Sequence, residues 1–378
     1  MLRALAAERS RIVDLDAQIQ DLERVLAALR LEKAVAQERL DTYTYPVLTL
    51  PDEIISEIFI HFLPLYPVCP PITGLLSPIL LTHICRKWRE IAQTTPALWR
   101  AISLSSDGFP FRHLAHMSDI FSRSGCLPLS IELHYHDSED GDSESKVLQA
   151  AFLHCERWEC VELCSWGFDL PTIERDLPLL RDITLDFEDA SSAPYIIIRD
   201  ASLLRKAVLG GVNFSKLVLP WEQLTSLTVD PLDADAWLPI LRQTSNLVHC
   251  ELSLYDADFD NNSPPPVVIL PCLQSLTCNI IDIGFDYNNA AYDGFLNVVF
   301  APALRSLRIA EIFLRPNPIG SLASFIANSG CNLEELTITG QISVPASSYH
   351  KAFPSIGKFS FDGEADEDVL VVESESDS

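Results

Sequence analysis

Leu273-Gln-Ser-Leu276-Thr-Cys278 and Leu304-Arg-Ser-Leu307-Arg-Ile309 are two copies of one pattern: an apolar residue, two variable residues, an apolar residue, one variable residue and a last apolar residue. Upstream it occurs as Trp158-x-x-Val161-x-Leu163, Leu180-x-x-Ile183-x-Leu185, Leu204-x-x-Ala207-x-Leu209, Leu224-x-x-Leu227-x-Val229 and Leu247-x-x-Cys250-x-Leu252. Downstream it returns as Leu333-x-x-Leu336-x-Ile338 and Ile356-x-x-Phe359-x-Phe361. Successive copies begin roughly 20 to 31 residues apart, a period that marks a repeating supersecondary unit. The alternation closing each copy has the period of a strand with one side turned inward. A lone strand of this length cannot bury that side, so the copies stack as short parallel strands of a solenoid, and the fold class is α/β. Polar turns such as DFEDASS and DADFDNNSPPP follow the strands, and two of the returning segments, 233–244 and 319–329, are long enough for helices. A generic α/β domain is the alternative.

Residues 50–99 read differently. They run LPDEIISEIFIHF, a proline-rich interruption, and PILLTHICRKWREIAQTTPALW. Pro51 suits a first helical turn, where its missing N–H has no partner to lose. Asp52 and Glu53 favour the positive end of the helix dipole. Ile54, Ile58 and Phe62 recur at helical spacing with Ile55 and Phe59 beside them, and Pro64 stops the helix. A second helix is expected from Pro78 through Leu80, Leu81, Ile84, Cys85, Trp88 and Ile91, and Pro96 opens a short turn ending in Leu98 and Trp99. Some 50 residues cannot bury this many large apolar groups alone, so part of their apolar surface must meet something else. Spacing leaves open which residues do so.

The first forty residues carry a heptad. Ile12, Leu15, Ile19, Leu22, Leu26 and Leu29 form an unbroken seam, weakened at its ends by Glu8 and Lys33. Gly and Pro are absent, and Arg11 and Asp16 fall where they would pair across a parallel dimer. The two readings are self-association as a coiled coil and an amphipathic helix folded back on its own chain.

The pieces in the middle of the chain also carry a resemblance. Leu50-Pro51-x-Glu53-Ile54-Ile55-x-x-Ile58-Phe59, Ile84-Cys85-Arg86-x-Trp88-Arg89 and Pro96-x-Leu98-Trp99 look like an F-box, with the spacing of the fungal form. With Leu129-Ser-Ile131-Glu-Leu133, Arg157-Trp158 and the later copies, the chain after Tyr45 resembles the basidiomycete F-box-like proteins with irregular leucine-rich repeats. Regular repeats of that kind carry an asparagine or cysteine after the strand; here it is mostly missing. Together with the heptad and the acidic C-terminal run, the resemblance gives four parts: a coiled-coil helix over 1–42, an F-box-like module over 46–100, an irregular repeat array over 101–361 and an acidic disordered tail over 362–378. It implies a substrate receptor of a Skp–cullin–F-box ubiquitin ligase. Leu50, Pro51, Ile54, Ile55, Ile58, Phe59, Cys85, Trp88, Leu98 and Trp99 would be shared between the module's own core and a Skp-family adaptor, through which a cullin is reached. The repeats would bind a target protein. A structural or regulatory adaptor without a ligase is the alternative.

Composition narrows the rest. The chain has 378 residues, 48% hydrophobic, with a formal charge of −26, which disfavours nucleic acid as a ligand because that binding relies on cationic side chains. No apolar run reaches the ~20 residues of a membrane span, and the N-terminus turns charged at once, unlike a signal peptide. An intracellular location, cytoplasmic or nuclear, is expected, with ten reduced and buried cysteines. Cys155, Cys160 and Cys164 beside His154 fit no common zinc spacing. His134 and His136 alternate on a strand and read as surface histidines. Asp256-x-Asp258-x-Asp260 lacks the glycine and the bidentate glutamate of a calcium loop. The run 137–145 reads as solvated disordered chain, and Ser374 sits among acids that suit an acid-directed kinase. No phosphate loop, nucleophile elbow or HExxH helix occurs, so neither enzyme activity nor a cofactor is expected. The target is expected to be gripped by edge loops around Trp221, Trp237 or 256–260, because hydroxyl side chains dominate the strand positions; the alternative is that both tryptophans belong to the core.

Overall fold

The computed structural model describes residues 2–42, 46–105, 117–136, 141–166, 172–188, 193–232, 234–254, 267–280 and 295–363. The calcium-like run 256–260, Ser374 and the tail from 364 onward lie outside them, as do the side chains of His136 and Trp237.

An eleven-stranded sheet, parallel at every pairing, dominates the mixed α/β fold, and its strands follow one another in chain order. They are β1 (Ala101–Ser105), β2 (Leu129–His136), β3 (Trp158–Trp166), β5 (Asp182–Phe187), β7 (Lys206–Gly210), β9 (Ser226–Leu232), β10 (His249–Leu254), β12 (Ser275–Ile280), β14 (Ser306–Ala310), β15 (Glu335–Thr339) and β16 (Lys358–Asp362). Each of the nine sequence copies supplies one strand from β3 to β16. The pairing keeps the copies in step: Val161, Ile183, Ala207, Leu227, Cys250, Leu276, Leu307, Leu336 and Phe359 are successive partners. Every apolar position of the pattern from β3 to β15 is buried. A one-residue slip would turn the whole row to solvent, which is why the register holds.

The first apolar residue of most copies closes a tight turn, its N–H donating three residues back, as from Leu180 to Leu177, Leu204 to Ala201 and Leu304 to Ala301. The returning segments pair with each other as well. β4 (Ile173–Glu174), β6 (Ile196–Ile197) and β8 (Leu217–Val218) form one small parallel sheet, and β11 (Val268–Ile269) and β13 (Val299–Phe300) a second. Strands of two residues have no period, so sequence could not reveal them.

Helices fill the remaining connections: α5 (Met117–Arg123), α6 (Gly141–Phe152), α7 (Ala234–Leu241), α8 (Pro318–Ser329) and α9 (Ala346–Ala352). α6 corrects the disordered reading of the acidic run, whose later residues 141–145 form its first turns. The Arg157 guanidinium closes the end of α5, donating to the carbonyls of Phe121, Gly125 and Leu127 and to Ser124 Oγ; carbonyls at a helix C-terminus have no helical donor of their own. Glu311 is fully buried and accepts from Ser343 N–H and Oγ and from the Tyr349 hydroxyl. Burial, then the Glu311 charge, pushes the Tyr349 hydroxyl up. α9 thereby sits against the last strand, with His350 and Phe359 ring centres 4.4 Å apart.

The helix α1 (Leu2–Thr42) runs 41 residues. Its seam residues Ile12, Leu15, Ile19, Leu22, Leu26 and Leu29 are all exposed, so it does not fold back on its own chain. Nor is any described helix long and apolar enough to cross a membrane. All ten cysteines are free, but only five are buried: Cys85, Cys160 and Cys164 are half-buried, and Cys126 and Cys272 are exposed. Burial pushes the thiols of Cys69 and Cys250 up to about 12, which leaves them protonated and inert.

Candidate protein-docking surfaces

Three short helices and two 3-10 turns build the segment between Pro46 and Trp99: a 3-10 turn (Pro46–Thr49), α2 (Asp52–Phe62), α3 (Pro78–Ile84), α4 (Arg86–Thr94) and a 3-10 turn (Pro96–Trp99). α2 ends where Leu63 turns extended ahead of Pro64. α3 starts on a Ser77 cap, whose Oγ accepts from Ile79 N–H at 3.1 Å, with Pro78 in the first turn. The single helix expected over 78–91 is interrupted. Cys85 is extended, at φ −155° and ψ 171°, and serves as the end of α3 and the start of α4. Arg89 Nε donates to the Thr82 carbonyl at 2.8 Å, satisfying an acceptor that a continuous helix would have used. Lys87 Nζ ties down the entry to α2 through the carbonyls of Leu48 and Leu50 and the Asp52 carboxylate at 3.1 Å.

Apolar residues here divide in two. Ile55, Phe59, Leu98 and Trp99 are buried, and Trp99 Nε1 donates to the Ala92 carbonyl at 2.7 Å. Leu50, Cys85 and Trp88 are half-buried, Trp88 meeting Phe59 edge-on at 4.9 Å between ring centres. Ile54 and Ile58 are 47% and 46% exposed while Ile55 and Phe59 are each 1% exposed, so one helix has a buried and an open apolar side. Pro51 is exposed at the head of α2, and Leu80 and Ile84 are exposed on α3. Leu80 was read in sequence only as part of a helical pattern and Ile84 also as the start of an F-box-like motif; their exposure could not be seen there.

The helical segment is fastened to the sheet. Ser103 N–H in β1 donates to the Pro70 carbonyl at 3.1 Å, and Ser130 Oγ in β2 donates to the Pro67 carbonyl at 2.6 Å. The Tyr66 hydroxyl donates to Glu159 Oε2 at 2.6 Å, the same carboxylate that Arg181 Nε meets at 2.9 Å, and Arg100 lies 3.4 Å over the Tyr66 ring. The buried residues of the segment run into the core of the sheet without a break.

A second surface is the side of the main sheet opposite that core. Asp182, Thr184, Ser226, Thr228, Ser275, Thr277, Ser306, Arg308 and Glu335 are partly exposed on it, and Thr337 is buried. Its chemistry is uneven. Glu132, Glu162, Asp182, Asp186 and Asp230 crowd the strands β2 to β9, whereas on β14 to β16 charges pair, Arg308 with Asp362 at 2.9 Å and Lys358 with Glu335. Trp221, expected at a gripping edge, is instead 7% exposed in a 3-10 turn (Trp221–Gln223) and belongs to the core. Its period relative to Leu224 was that of the turn preceding each strand, a signal that could have predicted burial.

No family model matches the chain, and no curated protein matches it either.

Proposed function

We propose that this chain is the substrate receptor of a Skp–cullin–F-box ubiquitin ligase. The helical segment acts as an F-box-like module that docks on a Skp-family adaptor, and the sheet is an irregular leucine-rich-repeat array that holds a target protein. One observation carries the reading: Ile54 and Ile58 on α2 and Leu80 and Ile84 on α3 stand open to solvent, as do Val47, Leu65, Val68, Leu75 and Leu76 outside those helices, in a segment whose Ile55, Phe59, Leu98 and Trp99 are packed. Branched aliphatic side chains left open on two neighbouring helices of so short a segment are what an apolar partner surface requires. The in-register parallel stacking of the strands supports the array, since each unit buries its apolar side only against its neighbours.

In this reading the chain is intracellular and performs no chemistry. It raises the concentration of target lysines near the conjugating enzyme brought by the cullin. The open seam of α1 makes a parallel coiled-coil dimer, so that two arrays engage a target together and gain avidity when geometry allows.

The test mixes the full chain with a purified Skp-family adaptor and follows complex formation by calorimetry. Wild type binds, and Ile54→Asp with Ile58→Asp does not, with circular dichroism unchanged. A wild-type chain that captures no adaptor overturns the ligase reading and leaves the non-ligase adaptor, which uses the same seam and repeats.

A further inference from the structure

Sheet register brings together residues that are far apart in sequence. β2 and β3 pair Glu132 with Glu162 and His134 with Cys164, and β3 and β5 pair Cys164 with Asp186. Asp186 is followed across the sheet by Gly210 and then Asp230. All of these lie on the side away from the core.

His134 Nε2 stands 3.4 Å from Glu162 Oε1, and the Cys164 thiol donates to that same oxygen at 3.8 Å. A ligand atom from each of His134, Glu162 and Cys164 lies within 4.8 Å of the other two. Ligands on a tetrahedral zinc-sized ion, bonded at ~2.0–2.3 Å, are themselves roughly 3.3–3.8 Å apart. The two measured separations already fall in that range.

The charge around the three points the same way. Like charges placed directly opposite on neighbouring strands are unfavourable, yet Glu132 faces Glu162, and only Gly210 separates Asp186 from Asp230. A Cβ at Gly210 would meet Asp186 Oδ1 at 2.5 Å, so a larger residue there would displace that carboxylate. A divalent cation at this place would neutralise the crowded carboxylates.

We propose that His134, Glu162 and Cys164 bind a divalent cation of the zinc class, with water as fourth ligand and Asp186 contributing charge from the next strand. The sulfur ligand argues against magnesium and calcium, which take oxygen. On binding, the thiol proton leaves to solvent as the metal–sulfur bond forms, and the neutral imidazole donates its nitrogen lone pair. Three protein ligands leave the fourth position open to a donor atom from outside. The ligands come from positions 134, 162 and 164, a spacing unlike that of linear zinc motifs, so the strand register alone assembles them.

The experiment uses the full, reduced, metal-free chain, titrated with zinc against a chromophoric chelator and with cobalt by absorption. One equivalent is expected to bind, with a thiolate-to-cobalt charge-transfer band. Cys164→Ser removes the band and His134→Gln removes the equivalent, while Asp186→Asn weakens binding by about 10–100-fold. Cys272→Ser, at an exposed cysteine, leaves binding unchanged, and circular dichroism verifies that each variant is folded. A folded wild-type chain that binds no stoichiometric zinc, or a band that survives Cys164→Ser, overturns the proposal.

Discussion

The helical segment and the sheet spend their apolar residues differently. From β3 to β15 every apolar position of the repeated pattern is buried, and the opposite side of the strands is polar. On α2 the residues Ile54 and Ile58 are open although they share a helix with the buried Ile55 and Phe59. A repeat unit finds its burial in the next unit, so its apolar side is spent within the chain. A short helix has several apolar directions and the sheet can cover only one of them. The difference separates residues that hold the fold from residues free to meet a partner.

Substitutions can break or sharpen that contrast. Leu307→Ala, in the middle of the buried row, is expected to cost about 4 kcal/mol, read by denaturant unfolding, because the surrounding strands cannot collapse into the cavity. Glu311→Ala leaves the buried Tyr349 hydroxyl without its partner beneath α9, for a loss of about 3 kcal/mol in the same measurement. Arg157→Ala frees carbonyls at the end of α5, and the expected loss is about 2 kcal/mol. In the helical segment, Ile54→Ala with Ile58→Ala should change stability by less than about 0.5 kcal/mol while adaptor binding falls. A loss there as large as that of Leu307→Ala would erase the contrast.

The smallest effect concerns pH. Burial, then the charge of Arg157, holds His154 below its ordinary 6.5. The unfolded chain therefore takes up more protons at this site than the folded one as pH falls through 6.5, and stability drops in that window. His154→Gln should flatten the slope of stability against pH there. An unchanged slope would show that His154 titrates normally.

Much of this was legible in the sequence. Nine copies of one pattern placed nine strands, and the helix expected over 319–329 is part of α8 (Pro318–Ser329). What stayed hidden has physical reasons. The two-residue strands are too short to show a period, and β1, whose Trp99-x-x-Ile102-x-Leu104 has the repeated pattern, was hidden by Trp99 being read as the end of the helical segment. The break at Cys85 depends on the Arg89 guanidinium reaching back to Thr82. Glu311 reads as a surface acid until Ser343 and Tyr349, more than thirty residues on, close around it. Among the candidate docking residues, spacing identified the helices but not their open sides: Ile55, Phe59, Leu98 and Trp99 went to the core, and Leu80 and Ile84 were left outside it. Trp221, which sequence left open between a loop anchor and a core residue, packs in the turn before a strand.

Amide hydrogen exchange on the complex with a Skp-family adaptor tests the central claim most directly. The account predicts that the adaptor slows exchange in α2 and α3, over Asp52–Phe62 and Pro78–Ile84, while the strands of the main sheet exchange as in the free chain. Protection spread over the sheet, with α2 and α3 unchanged, would contradict it.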